Sequence, residues 1–147
     1  MKTIVMMMLA SSYSFLGCSQ NLAVGELPSL VQNGLKTQFP TATDVEWEKN
    51  GNLFEAEFDI NQTDHTALLD GTGKIVMHKQ DIEATQLPEP VAKALRTNFS
   101  GYQIDDLEQV EKNGQTLYQV ELEKNFGLDQ KKVFSADGTP STLEYWD

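Results

Sequence analysis

The chain has 147 residues, 22 Asp plus Glu against 11 Lys plus Arg, a formal charge of −11 and a single cysteine. That length holds one domain or two very small ones, and one cysteine excludes an intrachain disulfide framework and a cysteine-rich zinc site. The acidic excess leaves no basic footprint for nucleic-acid phosphates, and a 39% hydrophobic content with 2 Trp, 4 Tyr and 7 Phe excludes disorder by composition.

The first segment reads MKTIVMMMLASSYSFLGC. Lys2 supplies a charged start, and Ile4 to Ala10 with Phe15 and Leu16 form a short apolar stretch broken by Ser11, Ser12 and Ser14. It is too short and too polar to span a bilayer, which takes about 20 apolar residues, and it fits an export signal. Its end, Phe15-Leu16-Gly17-Cys18, resembles the lipobox of bacterial lipoproteins. The resemblance implies cleavage before Cys18 and acylation of that residue. The alternative is ordinary cleavage near Ala10-Ser11-Ser12, which leaves Cys18 a free thiol in an oxidising compartment. Under the lipoprotein reading residues 1–17 are the signal and 18–25 a tether. Cleavage removes Lys2 as its only charge, so the mature chain is one unit more acidic. Acyl chains anchor at about 0.8 kcal/mol per buried CH₂. Ser19 after the cysteine, in place of Asp, favours the outer membrane over the inner.

The remainder contains an internal repeat, 26–84 and 85–147. Leu27-Pro28 recurs as Leu87-Pro88. Val31, Leu35 and Phe39 recur as Val91, Leu95 and Phe99. A spacing of four puts these on one helical stripe of about three turns, with Pro at the first helical position. Pro40 closes the first helix and Ser100-Gly101 the second. Glu48-Lys49-Asn50-Gly51 recurs as Glu111-Lys112-Asn113-Gly114, and Asn-Gly between alternating runs signals a hairpin. Strands are expected at 43–49, 53–60, 64–70 and 74–79, then at 103–112, 116–124, 130–135 and 141–146, with 80–86 linking the repeats. About 60 residues with one helix fold marginally alone. The expected architecture is therefore α+β: two tandem helix-plus-four-strand repeats form one antiparallel sheet, with both helices on one face and the other face open to solvent.

The paired Leu-Pro-x-x-Val-x-x-x-Leu-x-x-x-Phe stripes, followed by strand-Asn-Gly-strand and strand-Gly-strand, resemble the PepSY-like, beta-lactamase-inhibitor-protein-like family of exported bacterial proteins. The segment Phe39-Pro40-Thr41-Ala42-Thr43-Asp44-Val45-Glu46-Trp47-Glu48 carries most weight, and the likeness covers essentially all of 26–147. It implies a tandem repeat whose sheet face binds another protein, and PepSY domains are proposed to restrain peptidases or to sense envelope ligands. The four cysteines of the archetypal inhibitor are missing here, so beta-lactamase inhibition does not follow from the likeness.

Carboxylates alternate with apolar residues at Glu55, Glu57 and Asp59, and again at Glu121 and Glu123. They share one strand face and form either an acidic platform for a basic surface or Ca²⁺, or, more simply, a solvated face that blocks edge pairing. If Asp70 faces Gly73 in a tight turn, His65 and His78 become direct cross-strand neighbours, with no third ligand to complete a metal site. Asp70-Gly71-Thr72-Gly73 and Asp137-Gly138 are turns and no phosphate loop. No nucleophile–base–orienter set can be assembled, so neither catalytic residues nor a cofactor are expected. Trp47, Tyr145 and Trp146 are the candidate partner-contact residues, with core packing as the equal competitor. The sequence thus points to a non-catalytic, lipid-anchored periplasmic module for an envelope protein or peptide, a peptidase among the candidates. The second reading is an acidic cation-sequestering protein.

Overall fold

A computed structural model describes residues 20–147; Cys18 and the export segment lie outside the described residues. The element order is β1 (Gln20–Asn21), α1 (Ser29–Gln38), β2 (Thr43–Asn50), β3 (Leu53–Ile60), β4 (Thr63–Leu69), β5 (Ile75–Asp81), α2 (Glu89–Asn98), β6 (Gln103–Lys112), β7 (Gln115–Glu123) and β8 (Gln130–Ser135). All eight strands lie in one sheet in sequence order, every pair antiparallel. The β5–β6 pairing, Met77 opposite Lys112 through Asp81 opposite Glu108, joins the repeats into that sheet.

Both helices start one residue later than expected. Pro28 and Pro88 occupy the capping position with φ of −58° and −55°, and the helices open at Ser29 and Glu89. They end as the stripe requires: the Phe39 and Phe99 amides donate to Leu35 O and Leu95 O at 2.8 and 2.9 Å. Val31 and Leu35 press onto Trp47, Ala56, Phe58, Ala67 and Leu69; Val91 and Leu95 press onto Leu107, Tyr118, Val120, Leu122 and Phe134. Each such side chain contributes about 1.5–3 kcal/mol on burial. Both helices therefore cover the same sheet face.

The repeats differ in how closely helix meets turn. A Cβ on Gly34 would collide with the backbone carbonyl of Gly73, whose own φ is +84°. The α1 backbone thus rests directly on the turn after β4. The matching helix position in α2 is Ala94, one residue before the buried Leu95. The hairpins differ too. Asn113 and Gly114 form a two-residue turn with φ of 52° and 76°, as Asn-Gly predicts. In the first repeat Asn50 still pairs with Leu53, so the turn is Gly51-Asn52.

One expected strand is absent. Residues 141–146 do not join the sheet: after the Phe134–Pro140 bridge and Ser141 N donating to Val133 O at 2.8 Å, the chain leaves the ladder. Pro140 has no N–H to give to a strand. β5 gains a second ladder from β6, whereas 141–146 has no strand on its far side among the described residues. Leu143, Tyr145 and Trp146 instead pack over a third apolar cluster, Leu68, Met77, Val110, Leu117 and Val133, on the face away from the helices. That face is consequently only partly open to solvent.

Candidate functional site on the open sheet face

In the first repeat the open face is built from like charges. The register sets Glu46 opposite Glu57, Glu48 opposite Glu55, and Asp59 opposite Asp64. Like charges directly opposite each other destabilise a sheet. A bulge at the start of β2, with Asp44 at φ 52°, turns another carboxylate toward the group. Asp44, Glu46, Glu57, Asp59, Asp64, Asp81, Asp106 and Glu108 line a groove of about 510 Å³.

The crowding shows in the carboxyl groups. Burial, then Asp106, Asp64 and Glu108, pushes Asp81 up to about 6 against the pull of Lys79. Glu57 is raised by burial and by Glu55, Glu48 and Glu46, and Asp59 first by its hydrogen bond with Asp64. The groove therefore favours any positive charge or proton brought to it. Among the described residues, no group of three or more His, Cys, Asp or Glu side chains is arranged to hold a metal ion.

Where the two repeats meet and across the second, the same face is covered. Lys79 and Glu108 form a buried ion pair at 2.8 Å, and Glu108 also accepts from the Gln119 amide, which is fully buried. Gln119 Nε2 donates to Trp146 O at 2.8 Å while its Oε1 accepts from Trp146 N at 3.2 Å. Lys79 Nζ donates to the same carbonyl at 3.2 Å and lies 5.3 Å from the indole centroid. Tyr145 donates to Asp106 at 3.3 Å under the Lys131 ammonium, 4.7 Å from its ring. Burial and the acidic neighbours Glu108 and Asp106 raise the Tyr145 phenol, which keeps the proton it donates.

The three aromatics singled out in the sequence therefore separate. Tyr145 and Trp146 lie on the open face beside the groove, whereas Trp47 is 6% exposed and packs under α1 on the opposite face. Two apolar residues that the sequence reading passed over stand out at the β7–β8 loop: Phe126 is 95% and Leu128 82% exposed. Their signal was the polar run Lys124-Asn125 and Asp129 around an apolar-Gly-apolar triplet. The loop sits at the end of the sheet where β3 turns into β4, the end that holds Asp59 and Asp64.

The histidines meet, but not as a direct pair. A bulge near Val76 shifts the register so that His78 faces Ala67 and His65 faces Gln80. A shift of two residues keeps the side chains on one face, and His65 Nδ1 lies 3.0 Å from His78 Nε2. The two imidazoles stack on each other and His65 stacks on Phe58, while Phe39 lies tilted against His78, all on the helix side. Burial, then His65, pushes His78 down to about 4, and burial lowers His65. This pair packs in the helix-side core, with His65 also reaching the edge of the acidic groove beside Asp64.

The family described as "putative beta-lactamase-inhibitor-like, PepSY-like" matches the chain twice, over residues 18–76 and 69–138. The chain belongs to this PepSY-like family. Its fold is similar to that of a DUF2874 family protein from Bacteroides uniformis, at 26% identity and TM-score 0.72, covering 77% of this chain and 85% of that one. A "putative periplasmic" protein from Bacteroides eggerthii shares the fold at 23% identity and TM-score 0.73, covering 78% and 85%. A BLIP-like protein from Bacteroides fragilis does so at 21% and 0.68, covering 78% and 83%. No curated protein matches. Among the described residues of this PepSY-like chain, no helix is long and apolar enough to cross a membrane.

Proposed function

We propose that this PepSY-like protein is a non-catalytic envelope lipoprotein. It is anchored through Cys18 on the periplasmic side of a bacterial membrane, with the outer membrane preferred. It binds a protein or peptide partner, a peptidase or another envelope enzyme among the candidates, through its open sheet face. The observation that carries this reading is the set of three directly opposed carboxylate pairs, Glu46–Glu57, Glu48–Glu55 and Asp59–Asp64. Solubility alone is served by mixed charges. Pairs that cost stability and project a single-sign field are what a surface needs to attract a basic segment and orient its approach. Tyr145 and Trp146 flank the groove as aromatic anchors, and Trp47 shapes the opposite face from within the core.

Affinity capture from an envelope extract tests it, comparing the native chain with a Glu46→Gln, Glu57→Gln, Asp59→Asn variant. A specific protein held by the native chain and released by moderate salt, with at least about tenfold less held by the variant, is expected. No salt-sensitive partner would sink the reading. The cation-sequestering alternative draws on the raised groups Asp81, Glu57 and Asp59. Titration calorimetry with Ca²⁺ and Zn²⁺ decides it: stoichiometric heat lost in the same variant would put cation binding first.

A further inference from the structure

We propose that residues 143–147 are a detachable internal stand-in for the partner. They form a strap seated where the open face receives an extended peptide that presents one aromatic residue over Lys79 and Gln119. This rests on the reading above that the open face binds a protein or peptide, and it names what that face recognises.

The first ground is how the strap is held. A chain segment in a sheet is held by its neighbours' backbones, but Trp146 is held by side chains. One carboxamide, Gln119, both donates to the carbonyl of Trp146 at 2.8 Å and accepts from its N–H at 3.2 Å. Lys79 gives the same carbonyl a second donor at 3.2 Å. That is side-chain reading of a peptide unit, and it works on any sequence because it uses only main-chain atoms.

The second ground is what lies beneath. Gln119 and Glu108 are 0% and 5% exposed in the middle of a sheet face whose other members include Val110, Leu117 and Val133. A purely structural cover over such a face is served by aliphatic side chains, because buried polar groups cost stability unless they are paired. Glu108 pairs with Lys79 and Gln119 within the face itself, but the Gln119 Oε1 acceptor finds its donor in the strap's peptide backbone. Lys79 also stands 5.3 Å from the indole centroid, so an aromatic side chain and the carbonyl of its own residue are read by the same ammonium group.

The third ground is that the fit is imperfect. The indole Nε1 of Trp146 is buried without an acceptor. A phenyl group in its place would leave no donor stranded, so a Phe-bearing segment matches the seat better than the strap itself does. The strap also borders the acidic groove, since Asp106 and Glu108 line that groove and Asp106 accepts from Tyr145. A segment that displaces the strap therefore places its neighbouring residues against carboxylates, which selects basic ones.

The test uses the full chain and a full-chain variant with a loosened strap, Tyr145→Ser with Trp146→Ser. The probes are two dye-labelled synthetic peptides, residues 141–147 and the same peptide with Trp146→Phe. Fluorescence anisotropy is expected to show saturable binding to the loosened chain at least about tenfold tighter than to the native chain, whose own strap competes. The Phe peptide should bind tighter than the parent, and Gln119→Ala in the loosened chain should weaken binding at least about tenfold. A folded loosened chain that binds neither peptide, or binds no better than the native chain, overturns the proposal. If that variant does not fold, hydrogen exchange on the native chain decides. Amides of 143–147 exchanging together about a hundredfold faster than those of β7 support a detachable strap; exchange only through global unfolding overturns it. Equal capture of an envelope protein by both chains removes the strap as stand-in while leaving partner binding intact. Peptide binding with no envelope protein captured supports the strap and counts against the broader reading.

Discussion

The two halves of the open face answer the same structural problem in opposite ways. Across β2, β3 and the start of β4 the face is bare and lined with opposed carboxylates. Where β4 and β5 of the first repeat meet β6 to β8 of the second, the face is apolar around a Lys79–Glu108–Gln119 set and closed by residues 143–147. Repetition in sequence thus yields one scaffold with two different surfaces. The helix-facing residues, Val31 and Leu35 against Val91 and Leu95, are interchangeable in kind because both must fill a core. The open-face residues are under no such demand, and there the halves diverge.

Breaking the covered half should have the largest effect. Glu108→Ala leaves Lys79, itself mostly buried, without its counter-ion, and should cost about 3–5 kcal/mol in urea denaturation. Next comes the helix–turn contact, present in both repeats but tighter between Gly34 and Gly73 than between Pro90 and Gly138. Gly→Ala inside a helix is ordinarily worth about 1 kcal/mol in stability. Gly34→Ala should instead destabilise by about 2–3 kcal/mol, because its methyl meets the Gly73 carbonyl. A variant as stable as the native chain would show that α1 retreats freely.

The pH dependence sharpens the comparison between the acidic face and the helix-side core. His78 is held near 4, below its unfolded value, so its contribution is present above about 6.5 and is lost as pH falls toward 4. Asp81 is held near 6, above its unfolded value, so its penalty at neutral pH is relieved as pH falls through 6. The two slopes oppose each other between about 4 and 6.5. Asp81→Asn should therefore expose the histidine slope, with about 1–2 kcal/mol more stability lost between pH 7 and 4.5 than in the native chain after solvent screening. Parallel stability curves would contradict this assignment. The smallest effect belongs to the bare half: Glu57→Gln removes repulsion from Glu46, Glu48 and Glu55 and should stabilise by about 0.5 kcal/mol at low salt, less at high salt.

Much of the scaffold was legible because it rests on periodicity. The spacing of Val31, Leu35 and Phe39 and its copy at Val91, Leu95 and Phe99 encodes a helix stripe wherever it occurs, and the alternation in β3 and β7 encodes strands in the same way. The 141–146 strand was misread because repeat logic assigns it a place, while a ladder needs neighbours and Pro140 supplies no donor. The histidine register was misplaced by the bulge near Val76, which turn residues alone do not announce. The site was less legible. Tyr145 and Trp146 were picked for being aromatic, but nothing local marks Gln119, Lys79 and Glu108 as their seat, since that depends on three strands meeting. Phe126 and Leu128 resemble core residues until the loop around them is seen to bury neither.

The sequence by itself determined the repeat, the two helix stripes, most strand positions and the excess of negative charge, because each depends on residues a few positions apart. Only the tertiary structure decided which carboxylates oppose one another, that Trp47 is buried while Trp146 roofs a polar seat, and that 143–147 crosses the open face. Those outcomes turn on strand register and on competition between distant segments for one apolar surface, and no local spacing encodes either.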